Sequence, residues 1–170
     1  LDNISDPGAF MTFDVEYNEL ILASAYIEDG SGIAYNSGYI SLGIDNEMDF
    51  GEFEFQIDFS PAYVEITNLI PTERFTFDSF QINNNHITFV NPLITSGNGP
   101  ILTLELFNNV GVETEVTVSY DMCLAYTTEG NEVGISILDN ALYQIEAPNQ
   151  TFNFVDGTGS IGGGASIILG

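Results

Sequence analysis

Positive charge is almost missing from this sequence. Its 170 residues include no lysine, one arginine (Arg74) and one histidine (His86), against 25 Asp and Glu residues, and the formal net charge is −24. Proteins that bind nucleic acids or anionic membrane surfaces need several Lys or Arg side chains to contact phosphates. The composition therefore excludes both partners, together with chemistry that depends on a lysine amine or on several histidines.

Cysteine and tryptophan are also scarce, and no long apolar run is present. The only cysteine, Cys123, cannot form an intrachain disulfide. We expect it to be a small buried hydrophobic side chain rather than a nucleophile, because no cation is available to lower its pKa. No run of 18 apolar residues could span a bilayer.

The acidity does not indicate a disordered chain. Hydrophobic residues make up 44% of the sequence and the mean hydropathy is +0.13, which is far from the composition of chains that stay unfolded. Because self-repulsion of this size is relieved by salt or calcium, we expect an extracellular or cell-surface protein that is secreted with a cleaved signal.

Alternation with a period of two dominates the sequence. In residues 52–59, Phe53, Phe55, Ile57 and Phe59 alternate with polar residues, as in a strand with one buried face. Gly, Pro and Asn turn signals separate such runs, which predicts an all-β fold, an antiparallel jelly-roll sandwich of about ten strands with strand-like extensions at both termini. The other predicted strands are residues 11–17, 20–27, 39–44, 63–67, 75–82, 86–90, 101–107, 112–120, 134–138, 141–146 and 151–155.

The order of several motifs resembles that of a known family. The strongest element is residues 49–59, a small turn followed by alternating aromatics that end near an acid. The other matching segments are residues 38–45, 63–67, 85–89, 99–106 and 128–131. Between residues 38 and 145 the chain thus resembles the cohesin family. The resemblance implies a jelly-roll sandwich, an extracellular setting and a non-catalytic role in protein–protein attachment.

The resemblance divides the chain into three parts. Residues 38–146 are the predicted cohesin-like sandwich core, residues 1–37 an N-terminal strand extension that packs on the sandwich or on a neighbour, and residues 147–170 a C-terminal strand, glycine-rich hinge and apolar end. The hinge is residues 157–164, and the apolar end is residues 165–169.

Strand-like termini favour self-assembly. An apolar segment on a hinge can pair back onto its own sandwich, add a strand to a neighbour's sheet edge, or be an ordinary linker towards a deleted segment. We predict a subunit of a surface filament or layer, a homopolymer joined by strand exchange and stabilised by cations. The alternative is a cohesin-like module that binds a dockerin-type or other heterologous protein. The candidate exchange residues are Phe10, Met11, Phe13, Val15, Tyr17, Ile167, Ile168 and Leu169.

A few polar residues are candidates for more specific roles. Asp45, Glu47 and Asp49 place oxygen donors at alternate positions of a loop, a pattern that can wrap Ca²⁺. The alternative is loop acids with diffuse counterions. Arg74, the one permanent cation, is expected to form a structural ion pair with an Asp or Glu, and a contact between subunits is the alternative. His86 is expected to be an ordinary edge or surface histidine.

Catalysis has only a weak candidate. Glu52, Glu54 and Asp58 share the polar face of one predicted strand, and paired carboxylates serve glycosidases. A sugar cleft usually also has aromatic platforms, and the chain has no tryptophan. We therefore predict no enzyme and interpret the three acids as a solvated face, with an acidic glycosidase as a remote alternative.

Overall fold

The computed structural model describes residues 22–148, all of them in strands, turns and loops. Within this range no helix is long and apolar enough to cross a membrane. The strands are β1 (Leu22–Ile27), β2 (Gly30–Ile33), β3 (Ser37–Asp45), β4 (Phe50–Ser60), β5 (Val64–Pro71), β6 (Phe75–Thr76), β7 (Ser79–Asn83), β8 (His86–Val90), β9 (Leu93–Ile94), β10 (Pro100–Asn108), β11 (Thr114–Thr127), β12 (Gly134–Ile137) and β13 (Ala141–Glu146).

The strands form the two layers of a sandwich. In the first layer β3 pairs with β10 along one edge and with both β1 and β2 along the other. The far edge of β10 pairs with β5, and the far edge of β1 pairs with β12. The second layer has the order β13-β11-β4-β8-β7, and β9 pairs with β4 and β6. Because β2 also pairs with β13, hydrogen bonding continues from one layer to the other. The predicted all-β sandwich is confirmed, although β1–β12 and β2–β13 are parallel pairs.

The structure differs from the predicted strands in several details: β2 and β9 match no predicted strand, and β11 extends to Thr127. The predicted strand at residues 75–82 is two strands, β6 and β7, which pair with β9 and β8 respectively. Strands β1 and β2, which fall in the predicted N-terminal extension, pair with β3, β12 and β13. The division of the chain at residues 38 and 146 stays a prediction.

The core contains the alternating residues that the sequence places inside. Phe53, Phe55, Ile57 and Phe59 of β4 are each at most 4% exposed. Phe53 and Phe55 belong to an aromatic cluster in which the ring centroids of Phe53 and Phe89 lie 6.1 Å apart. Burial of each such side chain contributes roughly 1.5–3 kcal/mol to stability, so this single strand anchors the second layer.

A buried tyrosine closes the side where the two layers join. The Tyr143 hydroxyl on β13 lies against Gly32 and Gly38, where a Cβ atom on either glycine would overlap it. It donates a hydrogen bond of 3.0 Å to Oδ1 of buried Asn108, and Asn108 Nδ2 donates to the Ile33 carbonyl at 2.8 Å. Burial raises the pKa of Tyr143. The two glycines therefore allow β2, β3 and β13 to meet around one polar side chain.

Candidate functional site

The outward side of β11, β4, β8 and β7 is called the four-strand face below. A bulge in β11 determines which residues reach it. Tyr120 is opposite Ile57 and Met122 is opposite Gln56, so Asp121 is an extra residue on β11. An extra residue reverses the in–out alternation beyond it. As a result Met122, Leu124 and Tyr126 point outward, and Cys123 points toward the core.

Two rows of side chains cross this face from strand to strand. In the first row Leu124 is next to Glu54, which is next to Thr88, which is next to Gln81. The second row runs in the same order through Met122, Gln56, His86 and Asn83. The rows place apolar side chains on β11, carboxylate and amide groups on β4, and uncharged polar groups on β7.

A short polar contact and a groove give the face local structure. His86 Nε2 lies 3.2 Å from Glu54 Oε2, so the histidine links the two rows. Beside Glu54 an open groove of about 250 Å³ lies over the sheet. Its lining consists of Glu52, Phe53, Glu54, Thr88, Phe89, Pro92, Leu124 and Tyr126.

The three acids considered for catalysis lie on this face. Glu52 and Glu54 border the groove, and Asp58 is farther along β4, opposite Ser119. Glu52 and Asp58 are exposed. Their outward, solvated positions agree with the acidic face predicted from the alternation.

Two of the predicted calcium ligands, Asp45 and Asp49, accept hydrogen bonds from the backbone of a neighbouring loop. Asp45 Oδ1 accepts a hydrogen bond from the Gly99 amide at 3.0 Å, and Asp49 Oδ1 accepts one from the Ser96 amide at 2.7 Å. Within residues 22–148 no three His, Cys, Asp or Glu side chains gather into a group that could hold a metal, so Asp45, Glu47 and Asp49 do not form one. Calcium binding stays a prediction without an assembled site in this range.

Within residues 22–148 the guanidinium of Arg74 donates to neutral acceptors, and the predicted ion pair with an Asp or Glu is not found there. Nη1 and Nη2 make five hydrogen bonds of 2.6–3.1 Å, and in the described range no carboxylate comes within salt-bridge distance. The acceptors are the carbonyl oxygens of Ile44, Thr95, Gly97 and Gly99 and the side-chain oxygen of Asn46. Carbonyls of two facing loops converge on Arg74, and a cation satisfies all of them together. These residues are called the Arg74 cluster below.

The remaining predicted residues lie elsewhere. The strand-exchange residues, from Phe10 to Tyr17 and from Ile167 to Leu169, are outside the described range. Cys123 is half-buried and packs against the core, and burial raises the pKa of its thiol to about 12. A thiol in this state is a poor nucleophile, in agreement with the predicted apolar role.

The sequence pattern does not identify the outward residues of β11. Met122, Leu124 and Tyr126 belong to an apolar stretch that the sequence favours as a buried strand. The one available signal is Asp121, a charged residue between Tyr120 and Met122 that fits poorly in an otherwise apolar run. Bulged residues of this kind often lie where a side chain must be redirected.

Comparison with known proteins finds similarity in structure only. No family model and no curated protein matches the chain. A cohesin from a type I cohesin–dockerin complex of Clostridium thermocellum is similar, with a TM-score of 0.58 and 12% identity over 75% of this chain and 96% of that one. A non-cellulosomal cohesin from the archaeon Archaeoglobus fulgidus has a TM-score of 0.58 and 14% identity over 74% and 91% of the two chains.

A third similar structure is the third ScaC cohesin of Acetivibrio cellulolyticus, crystallised with a ScaB dockerin. Its TM-score is 0.57, and it is 16% identical over 74% of this chain and 99% of its own. Nearly the whole of each cohesin is therefore matched, at identities too low to indicate more than the fold. The resemblance expected from the motifs is confirmed at that level: the chain contains a β-sandwich domain with the cohesin fold.

Proposed function

We propose that this domain is a non-catalytic recognition module that binds a heterologous protein, of the dockerin type or a functional equivalent, outside the cell or on its surface. The fold supports this proposal, because two of the similar cohesins come from structures of complexes with dockerins. Of the two functions that the sequence suggests, the recognition module therefore has the better support.

The observation that carries the proposal is the composition of the four-strand face. Leu124 is 36% exposed and Val90 47%, and they stand among amide, hydroxyl and carboxylate groups. Interfaces commonly combine apolar groups with polar groups that form directed hydrogen bonds. The four strands are joined by backbone pairing from β11 to β7, and a face built on paired strands loses less conformational entropy on binding than a loop does.

The opposite layer offers a control for an experiment. Thr88 on β8 and Thr103 on β10 are both half-buried threonines on inner strands, each on the outward side of its own layer. Replacing either by tyrosine preserves β propensity while adding bulk. The pair Thr88→Tyr and Thr103→Tyr therefore tests which face binds a partner.

The immobilised chain is exposed to the proteins secreted by its source organism, and the affinity of a captured protein is then measured by calorimetry. We expect Thr88→Tyr to weaken binding at least tenfold, about 1.4 kcal/mol, and Thr103→Tyr to leave it within twofold. Equal affinities for the two variants would place the contact elsewhere. Polysaccharide hydrolysis that Glu54→Gln abolishes would contradict the non-catalytic proposal.

Self-assembly by strand exchange remains the competing prediction, and it depends on segments outside residues 22–148. Electron microscopy of negatively stained protein, with and without a calcium chelator, separates the two functions. Filaments that shorten when residues 165–170 are deleted would favour assembly. A monomer under all salt and calcium conditions would favour the recognition module.

A further inference from the structure

The groove on the four-strand face exists because β4 changes its partner strand. Glu54 to Gln56 pair with β8, whereas Phe50 pairs with Ile94 of β9. Along that edge no strand of the described range pairs with residues 51–53. A notch therefore opens in the sheet between the two pairings.

One residue with an unusual backbone conformation lies between β8 and β9, the two strands that pair with this edge of β4. Asn91 has a φ of 50°, a left-handed conformation that asparagine tolerates better than most residues. Its side-chain amide donates a hydrogen bond of 2.7 Å to Asp78 Oδ2, and the Asp78 amide donates to the Val90 carbonyl at 3.0 Å. The notch is thus a built feature of the loop after β8.

The lining of the notch combines apolar and polar side chains. Phe53 is 4% exposed and contributes to the floor together with Phe89, while Leu124 and Pro92 line the sides. The volume of about 250 Å³ suits one aliphatic side chain from a partner. Burying such a side chain removes apolar surface from water and so favours binding.

The rim of the notch is anionic and has little internal compensation. Glu52 and Glu54 are two residues apart on β4 and border the notch about 7 Å from each other. Glu54 contacts His86, whereas no ion pair involves Glu52 among residues 22–148. Arg74 cannot serve either acid, because its guanidinium is hydrogen-bonded in the Arg74 cluster.

We propose that the partner of this face inserts an aliphatic side chain into the notch and places a lysine or arginine beside it, toward Glu52 and Glu54. This inference rests on the proposed function and adds the chemistry of the partner. Charge complementarity favours a cationic flank, and an apolar centre flanked by charges gives both specificity and a fast association rate. An acidic or wholly neutral segment would leave Glu52 without a counter-charge.

Peptide binding observed by NMR tests the chemistry directly. The probe is a soluble peptide with a Lys-Ser-Leu-Ser-Lys core, compared with peptides in which both lysines are Gln or the leucine is Ser. We expect the first peptide to shift the amide resonances of residues around Leu124 and Thr88. The glutamine peptide should bind at least threefold more weakly because it loses its ion pairs with the rim. The serine peptide should also bind at least threefold more weakly because it buries less apolar surface.

A pair of double variants separates this site from general attraction to an acidic protein. Glu52→Gln with Glu54→Gln should weaken binding of the lysine peptide about fivefold. Glu65→Gln with Glu105→Gln changes the net charge equally on the other layer, and should change the affinity less than twofold. Equal losses from the two double variants would overturn the inference.

The natural partner distinguishes this inference from the proposed function. A captured protein that is lost with Thr88→Tyr but binds Glu52→Gln/Glu54→Gln as well as the wild type would support the recognition face and overturn the cationic flank. Weaker binding to the glutamine variant, with affinity that falls as salt is raised, would support both.

Discussion

The Arg74 cluster and the four-strand face differ in where their polar groups find partners: within the protein in the cluster, and outside it for most of the face. In the cluster one guanidinium satisfies four carbonyl oxygens and an asparagine side chain between two loops. On the face, Glu52, Glu54 and Asp58 point outward, and His86 is the only basic side chain among the paired rows. Arg74, the only arginine or lysine in the sequence, thus has its guanidinium hydrogen-bonded within the fold. The negative charge of the face must therefore be balanced by ions or by a partner.

Removing the guanidinium of Arg74 should destabilise the protein more than the loss of a single buried hydrogen bond or of exposed carboxylates. Arg74→Met leaves four carbonyls and Asn46 without their donor, and we expect the free energy of unfolding to fall by about 4 kcal/mol. Urea denaturation measures the change. Arg74→Lys keeps the charge but offers fewer donors in a different geometry, and should lose about half as much. If Arg74→Met were as stable as the wild type, the contrast between the two regions would be lost.

The buried tyrosine tests whether polar groups elsewhere in the core behave like the cluster. Tyr143→Phe removes the donor to Asn108 Oδ1 and fills the same space, so stability should fall by about 2 kcal/mol. A further change of Asn108 to leucine would separate the lost hydrogen bond from altered packing. A loss as large as that of Arg74→Met would mean that the cluster is no more demanding than a single buried hydrogen bond.

Because Cys123 packs against the core on the inner side of β11, the stability of the protein should fall at alkaline pH. The pKa of Cys123 is raised to about 12 by burial, so the folded state favours the neutral thiol. The resulting stability is present below the unfolded pKa and is lost as pH rises toward the folded value. Between pH 7 and pH 9.5 the wild type should lose about 1 kcal/mol more than Cys123→Ala. Parallel pH profiles for the two proteins would contradict this reading of the layer beneath the face.

The face should tolerate the change that the cluster does not. Glu52→Gln with Glu54→Gln removes two exposed like charges, so stability should change by less than about 0.5 kcal/mol. Thermal unfolding at low salt, where repulsion is largest, is the measurement. A large loss of stability would show that these acids stabilise the sheet, and would contradict the contrast between the face and the cluster.

Much of the fold follows from the sequence because burial follows a period of two. The alternation in β4 correctly places Phe53, Phe55 and Ile57 inside. It fails in β11, where an unpaired Asp121 reverses the faces of the residues that follow. Whether a bulge forms depends on hydrogen bonding to the neighbouring strand, which a single strand's pattern does not encode.

The site was less predictable than the fold for a similar reason. In a chain with 25 acids an arginine is expected to meet a carboxylate, yet Arg74 binds carbonyl oxygens. The orientation of carbonyls in two distant loops depends on the complete fold and not on residue type. The notch likewise arises because β4 changes its partner from β9 to β8, and no local sequence motif predicts that change.

The parallel pairs β1–β12 and β2–β13 have a consequence for the order of folding. Leu22 pairs with Gly134, and Gly30 pairs with Tyr143, so β1 and β2 each lack one neighbour until most of residues 22–148 have been synthesised. Pairings so distant in sequence slow folding to roughly the millisecond-to-second range of β-sandwiches. β1 and β2 can therefore complete their pairing only after β12 and β13 have been synthesised, whereas pairs such as β7–β8 can form earlier.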